Sequence, residues 1–302
     1  MDYAEAHDAF FTPRPEGAPA PRTDAWQTPA RRLRDAAEPV AMICVWSAAG
    51  TARFAEHGLD FLTGYVLSRG CVLGAATGRV VAAAFGVFEP GLVGGLWDAA
   101  QAALPVEEMR TLAPTVAGQT LRDILCAAPD VAVVAEQLRT TLSDVDTTGR
   151  ALAAGVASLP WPTDPYASLW QGCTLLRELR GDGHLAACVA AGITGLEANL
   201  LTEAWVGWEP MAYAGTRGWS PEVMRAAAAG LAAHGLVHEG ALTEHGTELR
   251  EGIEEATDRS MQPVIDALGP DLDTIVEALN TWGAALIAAD AFPPDPYKRA
   301  SG

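Results

Sequence analysis

Apolar residues recur at three- and four-residue spacing along almost the whole chain, with Ala, Leu and Glu filling many positions between them. That period belongs to amphipathic helices; a half-buried strand would alternate. Helices are predicted at about 30–36, 40–57, 60–69, 75–87, 90–103, 106–126, 130–158, 165–180, 183–206, 221–234, 244–267 and 271–289. Residues 12–29 (TPRPEGAPAPRTDAWQTP) are rich in Pro and polar residues and carry no such period. They make residues 1–29 an extended N-terminal arm, and 291–302, ending FPPDPYKRASG, a similar tail. Pro160, Pro162 and Pro165 remove backbone donors and clash with a preceding turn, so 159–165 reads as a hinge. It would separate an N-terminal helical lobe, 30–158, from a C-terminal one, 166–290.

One stretch departs from the helical period. Ser220 can cap a helix that has Pro221 at its first position, and that Ala-rich helix ends at Gly235. Leu236-Val237-His238, the turn Glu239-Gly240 and Ala241-Leu242-Thr243 then read as two very short strands, and Thr243 caps a long amphipathic helix. Helix, wing, helix over 220–258 is the order of a MarR-like winged helix with a minimal two-stranded wing. A plain helical hairpin with a loop at 236–243 is the competing reading.

The two halves also share landmarks. Val45-Trp46, Gly58 and Val87-Phe88-Glu89-Pro90 find counterparts in Leu169-Trp170, Gly181 to Gly183 and Gly207-Trp208-Glu209-Pro210, 120 to 124 residues later. Either the chain is an internal duplication or two stretches of similar composition align by chance. A duplication predicts two similar lobes with a cleft between them. The expected fold class is therefore mainly α, two helical lobes, the second carrying the winged helix.

Charge changes the functional reading more than the fold. The net charge is −18, with 18 acids against 12 bases in residues 1–150 and 20 against 8 in residues 151–302. Such a chain repels polyanions and anionic membranes at long range. In a DNA-reading winged helix the second helix enters the major groove and its flanks neutralise phosphates. Here that helix offers only Glu222, Arg225 and His234 among mostly Ala, and 220–260 holds eight acids and three arginines. DNA is thus an unfavoured partner; packing against a neighbouring lobe or a second copy of the chain suits the Ala-rich helix better. The five cysteines have no metal-ligand spacing and read as buried free thiols. An acidic N-terminus and the lack of a long uninterrupted apolar run predict a soluble, cytoplasmic protein that enters no membrane.

The run LWQGCTLLRELRGDGHLAACVAAGITGLEANLL at 169–201, followed by RGWS at 217–220 and the wing, resembles the SalK-like family of actinobacterial proteins. The resemblance extends from about residue 30 to 268 and is most specific over LPWPTDP and LLRELRGDGH. It implies a helix-turn-helix fold and assigns no chemistry. Members often carry His where this chain has Gln171 or Leu179, so histidine chemistry at those positions does not carry over.

Candidate chemistry gathers at Arg177-Glu178-Leu179-Arg180-Gly181-Asp182-Gly183-His184. Two glycines allow a sharp turn, Asp182 is placed to cap the helix after it, and His184 then falls in the first helical turn. The positive helix end would keep its imidazole neutral and basic. Arg177 and Arg180, one turn apart, could clamp a carboxylate or phosphate; a stabilised interhelical turn is the plainer account. Glu197, in an apolar helix, is a second catalytic candidate if buried, and a solvent-facing residue otherwise. Trp97, Trp170 and Trp208 could line a cleft for a flat apolar ligand.

No phosphate loop, zinc motif, nucleophile elbow or dinucleotide fingerprint is present, and no cofactor or metal is expected. Three functions remain, in order: a small-molecule-binding winged-helix protein, accessory to or acting in secondary metabolism; a cofactor-independent acid–base enzyme using His184; and a ligand-responsive transcriptional regulator.

Overall fold

The computed structural model describes residues 2–12, 27–126, 128 and 130–295. The elements are α1 (Tyr3–Phe11), α2 (Pro29–Ala41), α3 (Ile43–Trp46), α4 (Ala48–Ala55), α5 (Phe61–Gly70), α6 (Gly78–Phe85), α7 (Pro90–Ala103) and α8 (Val106–Leu125). There follow α9 (Val131–Leu142), α10 (Ala151–Ala157), α11 (Pro165–Ala190), α12 (Gly195–Val206), α13 (Ala212–Gly215) and α14 (Pro221–Ala233). The chain closes with β1 (Val237–His238), β2 (Ala241–Leu242), α15 (Glu244–Leu268) and α16 (Leu272–Ala288). Among the described residues no single helix is long and apolar enough to cross a membrane.

The centre of the fold is α11, 26 residues and so about 39 Å long. Asp164 caps it by accepting from the Ala167 amide, and Pro165 occupies its first position, where a missing N–H costs nothing. Helix α2 starts the same way, with Thr28 as cap and Pro29 following, and lies along α11 with nearly every residue buried. Around this pair α8, α9, α15 and α16 complete one apolar core that runs from Ala6 to Leu179 and resumes from Met261 to Phe292. That core is continuous across 159–165, so the Pro-rich segment joins helices of one body and does not divide the apolar interior into two lobes.

A second, smaller apolar cluster runs from Cys188 to Ile253 and belongs to the helix–wing–helix segment. Ser220 caps α14, and Met224 and Leu231 are its buried residues. Val237 pairs with Leu242 and His238 with Ala241 across the turn Glu239-Gly240. Both turn residues have positive φ, 49° and 82°, the conformation whose twist matches a two-residue hairpin. Thr243 caps α15 through the Gly246 amide. The wing and the helices around it therefore stand where the sequence puts them. The apolar outer side of α14 (Val223, Ala226, Ala229, Ala233) is exposed and packs on no neighbouring lobe.

Four expectations are corrected. The arm is not extended throughout: 3–11 is helical, held by a capping box between Asp2 and Glu5, while 13–26 and the tail from 296 on lie outside the described residues. The predicted helix 130–158 is two helices, joined by a loop over 143–150 in which Gly149 turns with φ 73°. The break at Gly181 to Gly183 does not exist; α11 continues to Ala190 and ends at Gly192, φ 74°. Gly183 is small because a Cβ would land on the Ser260 hydroxyl of α15, so it serves close packing. The repeat landmarks also fall on unlike elements: Trp46 ends a four-residue helix, whereas Trp170 and Gly181 sit inside α11.

Candidate functional site

The polar residues of the second half of α11 are buried and split between two ion networks. On one side Glu38 of α2 accepts from Arg177 Nε at 3.1 Å, Glu178 accepts from Arg177 at 2.7 Å, and Arg69 of α5 grips Glu178 with two bonds of 2.9 Å. Burial pushes the carboxyls of Glu38 and Glu178 up, but these guanidiniums prevail and hold both below the usual range. On the other side Glu254 of α15 sits among Arg31 at 3.2 Å, Arg180 at 2.7 Å and Arg250 at 2.6 Å. Against the same burial, those three charges keep its carboxyl well below the ordinary value.

This arrangement decides the sequence candidates. Arg177 and Arg180 do not form one clamp: Arg177 serves Glu38 and Glu178, Arg180 serves Glu254 and lies 3.6 Å from Asp258. Asp182 does cap a helix, but a different one, accepting from the Ala153 amide of α10 at 3.0 Å. Burial raises its carboxyl to about 6. His184 lies in the interior of α11, so no helix end acts on it; burial, then Arg250, Arg180 and Arg31 against the opposing pull of Glu254, lowers its imidazole to about 3. The Thr257 hydroxyl donates to the Ile253 carbonyl at 2.8 Å, which leaves its lone pair to accept from His184 Nδ1–H at 3.1 Å. Nε2 faces the Cys188 thiol at 3.7 Å. A histidine so engaged is a core residue with no substrate-facing nitrogen.

Glu197 is half-buried and closes a capping box with Thr194, so it is not a buried carboxylate awaiting a partner. The buried one in α12 is Glu203, whose oxygens accept from the Met211 and Ala214 amides at 2.7 Å each; burial nevertheless raises its carboxyl. That clamp forms α13, which the sequence reading missed. Trp97 is fully buried and donates to the Ala76 carbonyl; Trp170 donates to the Ala41 carbonyl. Trp208 stacks on Tyr213 with centroids 4.9 Å apart. Four cysteines are buried free thiols and Cys126 is exposed.

The concave site lies elsewhere. A partly open cavity of about 110 Å³ is walled by α2, α3, α5, α11 and the loop at Phe88, and closed on its far side by Tyr213, Thr216 and Arg217. Seven rings face it, from Phe10, Trp46, Phe61, Tyr65, Phe88, Tyr213 and Phe292. Arg34, Glu38 and Arg177 supply the polar floor. Burial pushes the Tyr65 phenol up, but Arg69, Arg177 and Arg217 outweigh it and lower the group below its ordinary value. His7 of α1 meets Asp290 at 3.3 Å, three and two residues along the chain from Phe10 and Phe292 of the lining.

The far wall is held by backbone contacts. The Val87 carbonyl accepts from both Asn199 Nδ2 at 2.8 Å and Trp219 Nε1 at 2.9 Å, and the Glu89 amide donates to the Arg217 carbonyl at 2.9 Å. Of the sequence candidates Arg177 lines this cavity, and so does Trp46, one of the repeat landmarks. Trp208 touches it through Tyr213. Arg217, Tyr65, Phe88 and Tyr213 were missed, because scattered aromatics in a helical sequence look like core until the fold gathers them.

A mainly helical body carrying a helix–wing–helix segment defines the class, a helix-turn-helix protein. The chain belongs to a helix-turn-helix family, whose family model matches residues 30–293. Comparison with curated proteins and with solved structures returns no match.

Proposed function

We propose that this protein binds a small ring-containing molecule in the aromatic cavity, whose far wall is the 213–217 segment leading into the winged helix, and that the winged helix itself is not a DNA reader. The observation behind the first part is the cavity itself: seven rings around a single opening, contributed jointly by the helical body and by the 213–217 segment. Aromatic-lined concavities with a few polar groups are where small ligands bind. Behind the second part is the surface of 220–260. Of its eight acids and three arginines, Glu254 and Arg250 are buried against each other, which leaves seven acids facing Arg225 and Arg259. Such a surface repels phosphate.

Thr216→Trp tests the first part, because an indole at that half-buried position fills the cavity from its far wall. Single-ring fragments that shift the melting temperature of the unmodified chain are expected to bind the variant at least about tenfold more weakly, as cross-checked by ligand-observed NMR. Equal binding to both proteins would place the fragments elsewhere and end the reading. For the second part, the chain is expected to flow through a heparin column at low salt; retention released by salt would restore the regulator.

A further inference from the structure

We propose that the ligand of this cavity is an aromatic monoanion, a single ring bearing one carboxylate, with Arg217 as its charge partner. The inference rests on the ring-binding reading above and concerns the charge of the ligand.

It starts from a mismatch in pairing. The other guanidiniums at the cavity wall or behind it each bond an acid: Arg34 bonds Asp35 at 3.0 Å, a carboxylate that Arg31 also meets at 3.5 Å, Arg69 holds Glu178, and Arg177 bonds Glu38. Arg217 has neutral partners only, donating to Thr216 Oγ1 at 3.0 Å and to the Tyr213 hydroxyl at 2.7 Å. Among the described residues no carboxylate reaches it. Its Nε is buried without a hydrogen-bond partner, a costly state that proteins keep at working sites. A guanidinium carries five N–H donors, so two bonds leave most of its donor capacity unused.

The geometry selects what could use it. The guanidinium lies 4.1 Å from the Tyr213 ring centroid and 5.0 Å from that of Phe88. With its faces against rings, it has only its N–H edge to offer, and a planar carboxylate meets such an edge with two parallel bonds. Arg217 is thus the one of these four guanidiniums with no carboxylate bonded to it, in a chain whose net charge is −18. One unit of negative charge satisfies it. A dianion would carry a second charge that Arg217 does not match, in a cavity that Glu38 also lines. The volume sets the remainder: about 110 Å³ compares with the roughly 150 Å³ that holds benzene in a closed protein core. A space of that size admits no more than one ring, whose carboxylate would meet Arg217 at the cavity wall.

The test is titration calorimetry on the full chain near neutral pH with benzoate, benzamide and phenyl phosphate. Benzoate is expected to bind at least about tenfold more tightly than benzamide, its neutral isostere. Arg217→Gln is expected to weaken benzoate roughly 10- to 100-fold while leaving benzamide within about twofold, and Arg217→Lys to restore part of the difference. The comparison of the three ligands on the unmodified chain stands even if Arg217→Gln fails to fold. Benzamide binding as tightly as benzoate overturns the anion assignment and leaves the ring reading intact. Phenyl phosphate binding tightest overturns the monoanion. Failure of all three to bind, together with no fragment displaced by Thr216→Trp, overturns the ring reading itself.

Discussion

Glu254→Ala is expected to be the most damaging single substitution in the described chain, costing about 3–5 kcal/mol and lowering the melting temperature by roughly 10 °C. The reason is what the change leaves behind. Arg31, Arg180 and Arg250 are almost fully buried and converge on this one carboxylate, so its loss removes the acid all three share and leaves the more distant Asp35, 3.5 Å from Arg31, and Asp258, 3.6 Å from Arg180. Burial already pulls the Arg31 guanidinium down to about 10 with Glu254 in place. An exposed pair such as Arg139–Glu136 is the control, and Glu136→Ala is expected to leave the melting curve unchanged. A Glu254→Ala protein that melts within a degree or two of the parent would show that the network is an ornament of the core.

The same cluster sets the acid response. Glu254 is depressed in the fold, so its contribution is complete above its ordinary value of 4.5 and is lost as pH falls through its lower folded value. His184 works in the same direction over a higher window. From about 6.5 down to about 3 the unfolded chain takes up a proton that the native imidazole refuses, so stability falls with pH. Asp182 opposes it: between about 6 and 3.8 the native carboxyl holds a proton that the unfolded one releases, so stability rises as pH falls. Where the windows overlap the two slopes offset one another. Asp182→Asn should therefore expose a steeper acid loss, up to about 1.4 kcal/mol per pH unit from His184, in urea midpoints measured from pH 6 to 4. An unchanged slope would remove Asp182 from the account.

Gly195→Ala is expected to loosen the helix–wing–helix segment from the body, at a cost of about 3 kcal/mol. Gly195 opens α12, and a methyl group there would land on the carbonyl oxygen of Gly86, with the Gly86 carbon and Val87 Cα close behind. Backbone cannot yield as a flexible side chain can. Gly86 is itself fixed, with φ 71° and the Leu185 side chain where its own Cβ would be. The displaced partner is thus α12, together with the Asn199 and Trp219 bonds beyond it. Hydrogen exchange is expected to accelerate across roughly 195–242 and to hold in α2 and in the first turns of α11. Uniform protection, equal to the parent, would mean that the two parts adjust as one.

Much of the fold could be read from local signals. Ser220-Pro221, Glu239-Gly240 and Thr243 each act within a few residues, and the helices and wing they predict are there. Gly181 and Gly183 misled because glycine has two uses. A sequence shows that a Cβ is missing, and only the fold shows that Ser260 occupies the space. The site was harder still. Glu38, Glu178 and Glu254 each find an arginine on another helix, at a separation of 139 residues for Arg177–Glu38, 109 for Arg69–Glu178 and 74 for Arg180–Glu254. On His184, burial and neighbouring guanidiniums act where the sequence points to a helix end.

The Val87 carbonyl, which receives both the Asn199 amide and the Trp219 indole, is a main-chain atom. No substitution at position 87 can delete it. Mutational drift at this joint is therefore one-sided: position 87 can change its side chain while the acceptor persists, whereas positions 199 and 219 must each keep a donor of the right reach. A deep mutational scan should show that asymmetry as tolerance at 87 beside intolerance at 199 and 219, and an engineer grafting the winged segment onto another helical body needs to copy two side chains but only the path of the backbone that meets them.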